Sequence, residues 1–262
     1  MTDTNVLDVE VTDGLAVLTL QRPDALNSLN MDLKVALASW LESARYDDSI
    51  RAVLITGSGR AFCAGGDLSE MDPDRTPSEV RMRQDYLLRR VFIPLAQLPK
   101  PVVAAVNGHA HGAGLSLALA CDIVIASEDA AMSLGYVHRG LVPDCGVLHF
   151  LPRIVGTARA KELLLTGRRF DAREAVEMGL ISRTVPAAEL LEVARKTAAD
   201  LAHGATVALA MTKSLVDQSW QQSLEQMSEL EAFSQSVCRS SSDHREGLAA
   251  FAEKRTAVFL GT

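Results

Sequence analysis

Ala61-Phe62-Cys63-Ala64-Gly65-Gly66-Asp67 follows the apolar run Ala52 to Thr56, and Asn107-Gly108-His109-Ala110-His111-Gly112-Ala113-Gly114 follows the run Pro101 to Val106, about forty residues further on. Each stretch sits where a β-branched run ends and a helical pattern begins. Glycine lets the backbone turn sharply and approach a ligand closely. A helix that opens at such a turn leaves N–H groups without intrahelical partners. One such N–H from each loop could hold a developing oxyanion.

Working outward from the two loops, Val6 to Val11 alternates and Leu15 to Leu20 is a compact apolar run. Asp13-Gly14 between them is a hairpin signal. Met31 to Tyr46 has helical periodicity, and Ala52 to Thr56 reads as a buried strand. A polar region with Pro73 and Pro77 leads into a charged helix from about Ser78 to Leu98. Pro101 to Val106 and Asp122 to Ala126 read as buried strands, with a small apolar helix, Gly114 to Cys121, between them. Ala158 to Leu165 and Ala172 to Met178 continue as helices, and beyond Ala187 the pattern is helical only. Short strands alternating with helices indicate an α/β fold.

The 262 residues suit one large domain or a core with an appendage. A hydrophobic fraction of 48% supports a sizeable core, and a net charge of −7 argues against a nucleic-acid or membrane-surface binder. Arg81, Arg83, Arg89 and Arg90 share one helix, yet no aromatic residues interleave them, so RNA is not expected as a partner. Cys63, Cys121, Cys145 and Cys238 form no C-x-x-C pair, which reads as free thiols in a reducing cytosol. The start MTDTNVLDVE lacks the basic and apolar regions of a secretory leader, and no apolar stretch nears the ~20 residues of a membrane span. A soluble cytoplasmic protein is expected.

Thr56-Gly57-Ser58-Gly59-Arg60-Ala61-Phe62 invites a dinucleotide reading, but Phe62 stands at the third glycine position of G-x-G-x-x-G. A different pattern fits better. Phe62-Cys63-Ala64-Gly65-Gly66-Asp67, then Pro101 to Gly108, then Gly112-Ala113-Gly114, then Ala120-Cys121-Asp122-Ile123, resembles the crotonase (enoyl-CoA hydratase/isomerase) superfamily. Gln21-Arg22-Pro23 before Ala25-Leu26-Asn27, Leu141-Val142-Pro143-Asp144, Gly167-Arg168 and the tail Glu246 to Arg255 extend the match over residues 6 to 259.

The resemblance implies a β-β-α spiral core, over residues 1–200, and a helical C-terminal oligomerisation region, over 201–262. It implies trimers or dimers of trimers (hexamers). The substrate would be an acyl-CoA thioester, with coenzyme A as part of the substrate and no separate cofactor. The backbone N–H groups of Gly66 and Ala113 would stabilise an enolate at the thioester oxygen. Contacts to CoA would come from Arg22, Ala25, Leu26 and Ala64, and from Phe251 and Lys254 of a neighbouring subunit. Asp67 reads more simply as a cap on the following helix.

The side chains at three positions decide the reaction. Hydratases of the family use two glutamates, whose positions align here with Ser116 and Tyr136. Neither is a carboxylate, so hydration by the usual pair is not expected. Asp144, eight residues after Tyr136, matches the aspartate base of several isomerases of the family, including the ring-opening type that acts on epoxyphenylacetyl-CoA. One base suffices to shift a double bond. The competing reading of Asp144 is an N-cap on the helix after Pro143. Leu141, Val142, Leu148 and Phe150 would give it apolar surroundings. Cys145 reads as core packing. His109 and His111 would lie on one face of a strand, as a metal pair does, but no third ligand stands near, and no metal is expected. His111, His138 and Tyr136 are candidates to line an acyl pocket. The expectation is an enoyl-CoA isomerase, with an enoyl-CoA hydratase and a catalytically silent acyl-CoA binder as alternatives.

Overall fold

A computed structural model of the chain describes residues 6–262; the part of the leader reading that falls on residues 1–5 lies outside them. The strands among the described residues are β1 (Leu7–Thr12), β2 (Leu15–Leu20), β3 (Ala52–Gly57), β4 (Ala61–Cys63), β5 (Val102–Val106), β6 (His109–His111), β7 (Ile123–Ser127), β8 (Ala131–Ser133), β9 (Arg169–Asp171) and β10 (Arg183–Val185). The helices are α1 (Met31–Ala44), α2 (Pro77–Leu87), α3 (Ile93–Ala96), α4 (Ala113–Leu119), α5 (Val147–Val155), α6 (Thr157–Thr166), α7 (Ala172–Glu177), α8 (Leu190–Ala202), α9 (Thr206–Gln218), α10 (Leu224–Ser240) and α11 (Ser242–Glu253).

Two sheets result. A six-stranded sheet runs in the order β1-β2-β3-β5-β7-β10, and a four-stranded sheet in the order β4-β6-β8-β9. β1 and β2 are antiparallel, joined by Asp13 and Gly14, both at positive φ (50° and 80°). Those angles match the right-handed strand twist, as two-residue hairpins require. From β2 onward the large sheet is parallel. Parallel strands are covered on both faces, which explains unbroken apolar runs such as Ala52 to Ile55. Leu54, Val103, Ala105 and Ile125 face α8, whose Ala194, Ala198 and Ala202 recur every fourth residue and bring its backbone close. Val53, Ile55, Val102 and Ala104 face the main core with Leu33, Leu37 and Leu41 of α1.

The charged helix expected over Ser78 to Leu98 is interrupted. Thr76 and Glu79 form a capping box at the start of α2. Leu88 to Phe92 then widens into a π turn, closed by the Ile93 N–H donating to the Leu88 carbonyl. Pro94, without an N–H, cannot bond the carbonyl four residues earlier.

The small sheet is what sequence periodicity did not show, because each of its strands spans three residues. β4 and β6 pair in parallel. They therefore deliver the two glycine loops at the same end of neighbouring strands.

Beyond α8 the helices lose contact with the core: α9 and α10 bury no residue. Arg51 ties this region back, donating to the Gly204 and Phe259 carbonyls and to Thr206 Oγ1. Lys213 of α9 pairs with Asp122 at 2.8 Å, and Asp122 also accepts from the Val102 N–H. Buried Asp243 accepts from the Leu260 and Gly261 N–H groups and fixes the tail. Leu224, Phe233, Leu248 and Phe251 remain exposed. No helix among the described residues is long and apolar enough to cross a membrane.

Candidate active site

The first glycine loop is anchored from one side only. The Leu29 N–H donates to the Gly65 carbonyl at 2.8 Å, and the Asp67 N–H donates to the Leu29 carbonyl at 3.4 Å. These bonds use the residues flanking Gly66 and leave the Gly66 peptide N–H facing away from Leu29. Gly65 adopts φ 101°, which an L side chain rarely adopts.

In the second loop Gly112 adopts φ 51° and ψ −122°, and α4 begins at Ala113. The Ala113 N–H, in the first turn, has no intrahelical acceptor. The loops press together: a Cβ placed on Gly65 would lie 2.7 Å from the His111 oxygen and 3.4 Å from the Ala113 nitrogen. A Cβ on Gly114 would lie 2.0 Å from the Cys63 oxygen. The two loops that carry Gly66 and Ala113, the donor pair implied by the resemblance, are thus pressed together from separate strands.

Ser116 and Tyr136 meet as a hydroxyl pair. Ser116 Oγ lies 3.2 Å from Tyr136 Oη and donates to the Gly112 carbonyl at 3.2 Å. Both residues are buried. Burial raises the Tyr136 phenol far above its ordinary value, with Cys145 and the Asp144 carboxylate adding to the effect, so the hydroxyl stays protonated.

Asp144 does not cap the helix that follows. α5 begins at Val147 with Gly146 as its cap residue, and no side chain caps it. The chain reaches α5 through two left-handed residues, Cys145 (φ 57°) and Gly146 (φ 76°). Asp144 Oδ1 is buried without a hydrogen-bond partner. Its apolar sequence neighbours Leu141, Val142 and Leu148 are exposed instead of surrounding it. Cys145 is buried, and burial pushes its thiol well above the usual range. That supports packing over nucleophilic chemistry.

At the first turn, Arg22 Nη1 pairs with Asp67 at 2.9 Å and also reaches Ser28. Asp67 accepts from the Ser69 N–H and hydroxyl and so caps the short turn Leu68–Glu70. The Ser69 hydroxyl, then Arg22, the Ser69 N–H and Ser28, hold the Asp67 carboxyl down to about 2 against its burial. Arg22 and Asp67 thus join the turn to the first glycine loop. Leu26 is left-handed (φ 51°), and its carbonyl accepts from the Ala64 N–H. Ala25, Leu26 and Ala64 therefore share one patch. Asn27, fully buried, was missed as a framework residue; its amide donates to the Ser58 and Ala61 carbonyls. Its only signal was its place beside a turn. Phe251 is 86% exposed and Lys254 lies exposed at the end of α11.

His109 and His111 do lie on one face of β6, with ring centroids 5.5 Å apart. His111 Nδ1 meets Ser133 Oγ at 2.9 Å. Among the described residues no group of three or more His, Cys, Asp or Glu is placed to hold a metal. His138 lies outside this cluster, its Nε2 at 3.1 Å from the Gly167 oxygen. Burial, then His109, Arg169 and Arg139, lower the His111 pKa to about 4. The unfolded chain takes up that proton near 6.5 while the folded one resists it, so stability falls as pH drops from about 6.5 to about 4. Urea unfolding at pH 7 and pH 5 should show a larger loss for the native chain than for His111→Gln; equal losses would exclude this residue as the source.

The enoyl-CoA hydratase/isomerase family model matches residues 10–262. The chain is 40% identical over 253 residues to the 1,2-epoxyphenylacetyl-CoA isomerase of Escherichia coli, covering 96% of this chain and 97% of that protein. It is 34% identical to the crotonyl-CoA hydratase of Syntrophomonas wolfei, with 96% of each chain covered. The crystal structure of an enoyl-CoA hydratase from Bacillus anthracis superposes with a TM-score of 0.93 at 35% identity, over 98% of this chain and 100% of that one. Strand order, paired glycine loops and sequence agree, and the chain belongs to the enoyl-CoA hydratase/isomerase family.

Proposed function

We propose that the protein is an enoyl-CoA isomerase in which Asp144 moves a proton between two carbons of the acyl chain. The observation that carries this reading is the Asp144 carboxylate. One of its oxygens is buried and unpartnered beside Tyr136, whose ring lies 3.9 Å from where a Cβ on Gly112 would stand. A buried acceptor without a partner is costly, and substrate would relieve that cost. In a 3-enoyl thioester, Asp144 takes a proton from C2. The electron pair spreads onto the thioester oxygen, held by the Gly66 and Ala113 N–H groups. The same carboxyl then returns the proton at C4, giving the 2-enoyl ester. Ser116 and Tyr136 bond each other, and neither is a carboxylate that could activate water at neutral pH.

No cofactor is required beyond the CoA carried by the substrate. Arg22, Ala25, Leu26 and Ala64 would line the CoA path. The exposed Phe251 and Lys254 would act from a neighbouring subunit, in a trimer or a dimer of trimers that covers Leu224, Phe233 and Leu248. Four free cysteines suit a reducing cytosol.

Incubation with a 3-enoyl-CoA and, separately, a 2-enoyl-CoA tests the reading, with products resolved by mass and retention time. Conversion of the 3-enoyl to the 2-enoyl ester is expected. Formation of the 3-hydroxy ester as the main product would make the protein a hydratase. Tight binding of either ester without turnover would make it a silent acyl-CoA binder.

A further inference from the structure

We infer that Tyr136 and Ser116 are positioning residues for the oxyanion-binding amide of Ala113, acting through a hydroxyl chain that ends on the Gly112 carbonyl. The inference rests on the enolate-stabilising reading above.

The Gly112 carbonyl and the Ala113 N–H belong to one planar, trans peptide unit and point in opposite directions. Whatever fixes the carbonyl therefore fixes the aim of the N–H. That carbonyl is held twice by one residue: the Ser116 N–H donates to it at 3.0 Å and the Ser116 hydroxyl at 3.2 Å. A serine hydroxyl has a single proton. With that proton on Gly112, the 3.2 Å contact between Ser116 Oγ and Tyr136 Oη must be donated by the tyrosine. The direction is Tyr136 to Ser116 to Gly112. The phenol is held protonated by its burial, so the first donor persists across the working pH range. A Cβ added to Gly112 would lie 3.9 Å from the Tyr136 ring, and the Gly112 N–H donates to the Ser133 carbonyl at 2.9 Å.

The peptide needs this holding because Gly112 stands at φ 51° and ψ −122°, where a glycine backbone has other basins open to it. Serine bonding back to the carbonyl four residues earlier is common in helices. The tyrosine, twenty residues further along the chain, makes the chain specific to this site. The same two side chains that make the usual hydration chemistry unavailable thus serve the donor that the isomerase reading needs.

Bonds of 3.2 Å are long for hydroxyl pairs, so each contributes modestly. Tyr136→Phe keeps the ring and removes the first donor; Ser116→Ala removes the link to Gly112. Each should lower kcat by about tenfold with KM little changed, as expected when a donor acts mainly on the transition state. The separating readout is optical. 4-(Dimethylamino)cinnamoyl-CoA is a push-pull chromophore whose absorbance moves to the red as its thioester carbonyl is polarised.

The native protein should shift the bound probe to the red, and both variants should shift it less while still binding it. Circular dichroism melts confirm that the variants are folded; Tyr136→Phe, the milder change, decides the matter should Ser116→Ala unfold. A full-sized red shift in folded Tyr136→Phe overturns the positioning role and leaves the enolate reading standing. No red shift in the native protein overturns the enolate reading itself, and the positioning role with it.

Discussion

Asp144→Asn should lower kcat for the 3-enoyl to 2-enoyl conversion by about a thousandfold, within the range typical of a lost general base. The substitution is nearly isosteric. The turn that presents residue 144 is made by the backbone of Cys145 and Gly146, not by the carboxylate. Oδ1 makes no hydrogen bond that the fold would lose. The melting temperature should therefore stay close to native, and KM should change little because the amide fills the same space. An amide cannot take up a proton at neutral pH, so the C2 proton would have no acceptor. In the proposed reaction Asp144 would act on both the removal and the return of the proton, so neither half would be spared. A loss of less than tenfold would reassign the base to another group.

Gly114→Ala is the second large effect, and it works by sterics alone. The added methyl would lie 2.0 Å from the Cys63 oxygen, 2.6 Å from the Cys63 carbonyl carbon and 2.8 Å from its Cβ. Two of these atoms are backbone, held in β4 and its pairing with β6. No side-chain rotation relieves the contact, so the two loops must separate. Separation costs stability, about 1–3 kcal/mol or more for an overpacked core. It would also move the Ala113 N–H away from Gly66, and in the proposed mechanism losing one oxyanion donor would cost about 10²–10³ in rate. Thermal melts and kcat/KM on the 3-enoyl ester check both parts. Gly247→Ala is the control for stability, since its Cβ would meet only the Phe259 ring at 3.6 Å. A native-like melt and rate in Gly114→Ala would mean that the two loops do not need this close approach.

The parts of the fold that were legible in the chain are those with enough residues to show a period. β2, β3 and β5 are apolar but for Thr19 and Thr56 because both faces of a parallel sheet are covered. Asp13-Gly14 announced its hairpin through the angles that only such residues take readily. The three-residue strands of the small sheet carry no period, so Ala131 to Ser133 and Arg169 to Asp171 passed unseen. The π turn before Ile93 depends on a single missing N–H at Pro94 and left no pattern. In the site, the two loops were legible because Gly65 and Gly112 take left-handed backbones that favour glycine, whereas Gly66 and Ala113 were singled out by the resemblance alone. The role of Asp144 was not decided by sequence. Cap and unpartnered carboxylate share the same local sequence, and the left-handed angle of Cys145 separates them. Asn27 stayed hidden because the carbonyls its amide donates to lie more than thirty residues away.

The thin attachment of α9 to α11 makes this region a separable cooperative unit. Arg51, the Lys213–Asp122 pair and the backbone turn at Gly204 join it to the sheet, and neither α9 nor α10 contributes a buried side chain. Subglobal opening is governed by the area a segment covers, not by the number of helical bonds within it. These helices therefore unlatch at a lower free energy than the spiral that carries the sheets. Amide exchange and proteolysis should reach α9 and α10 before any strand of the sheet is disturbed.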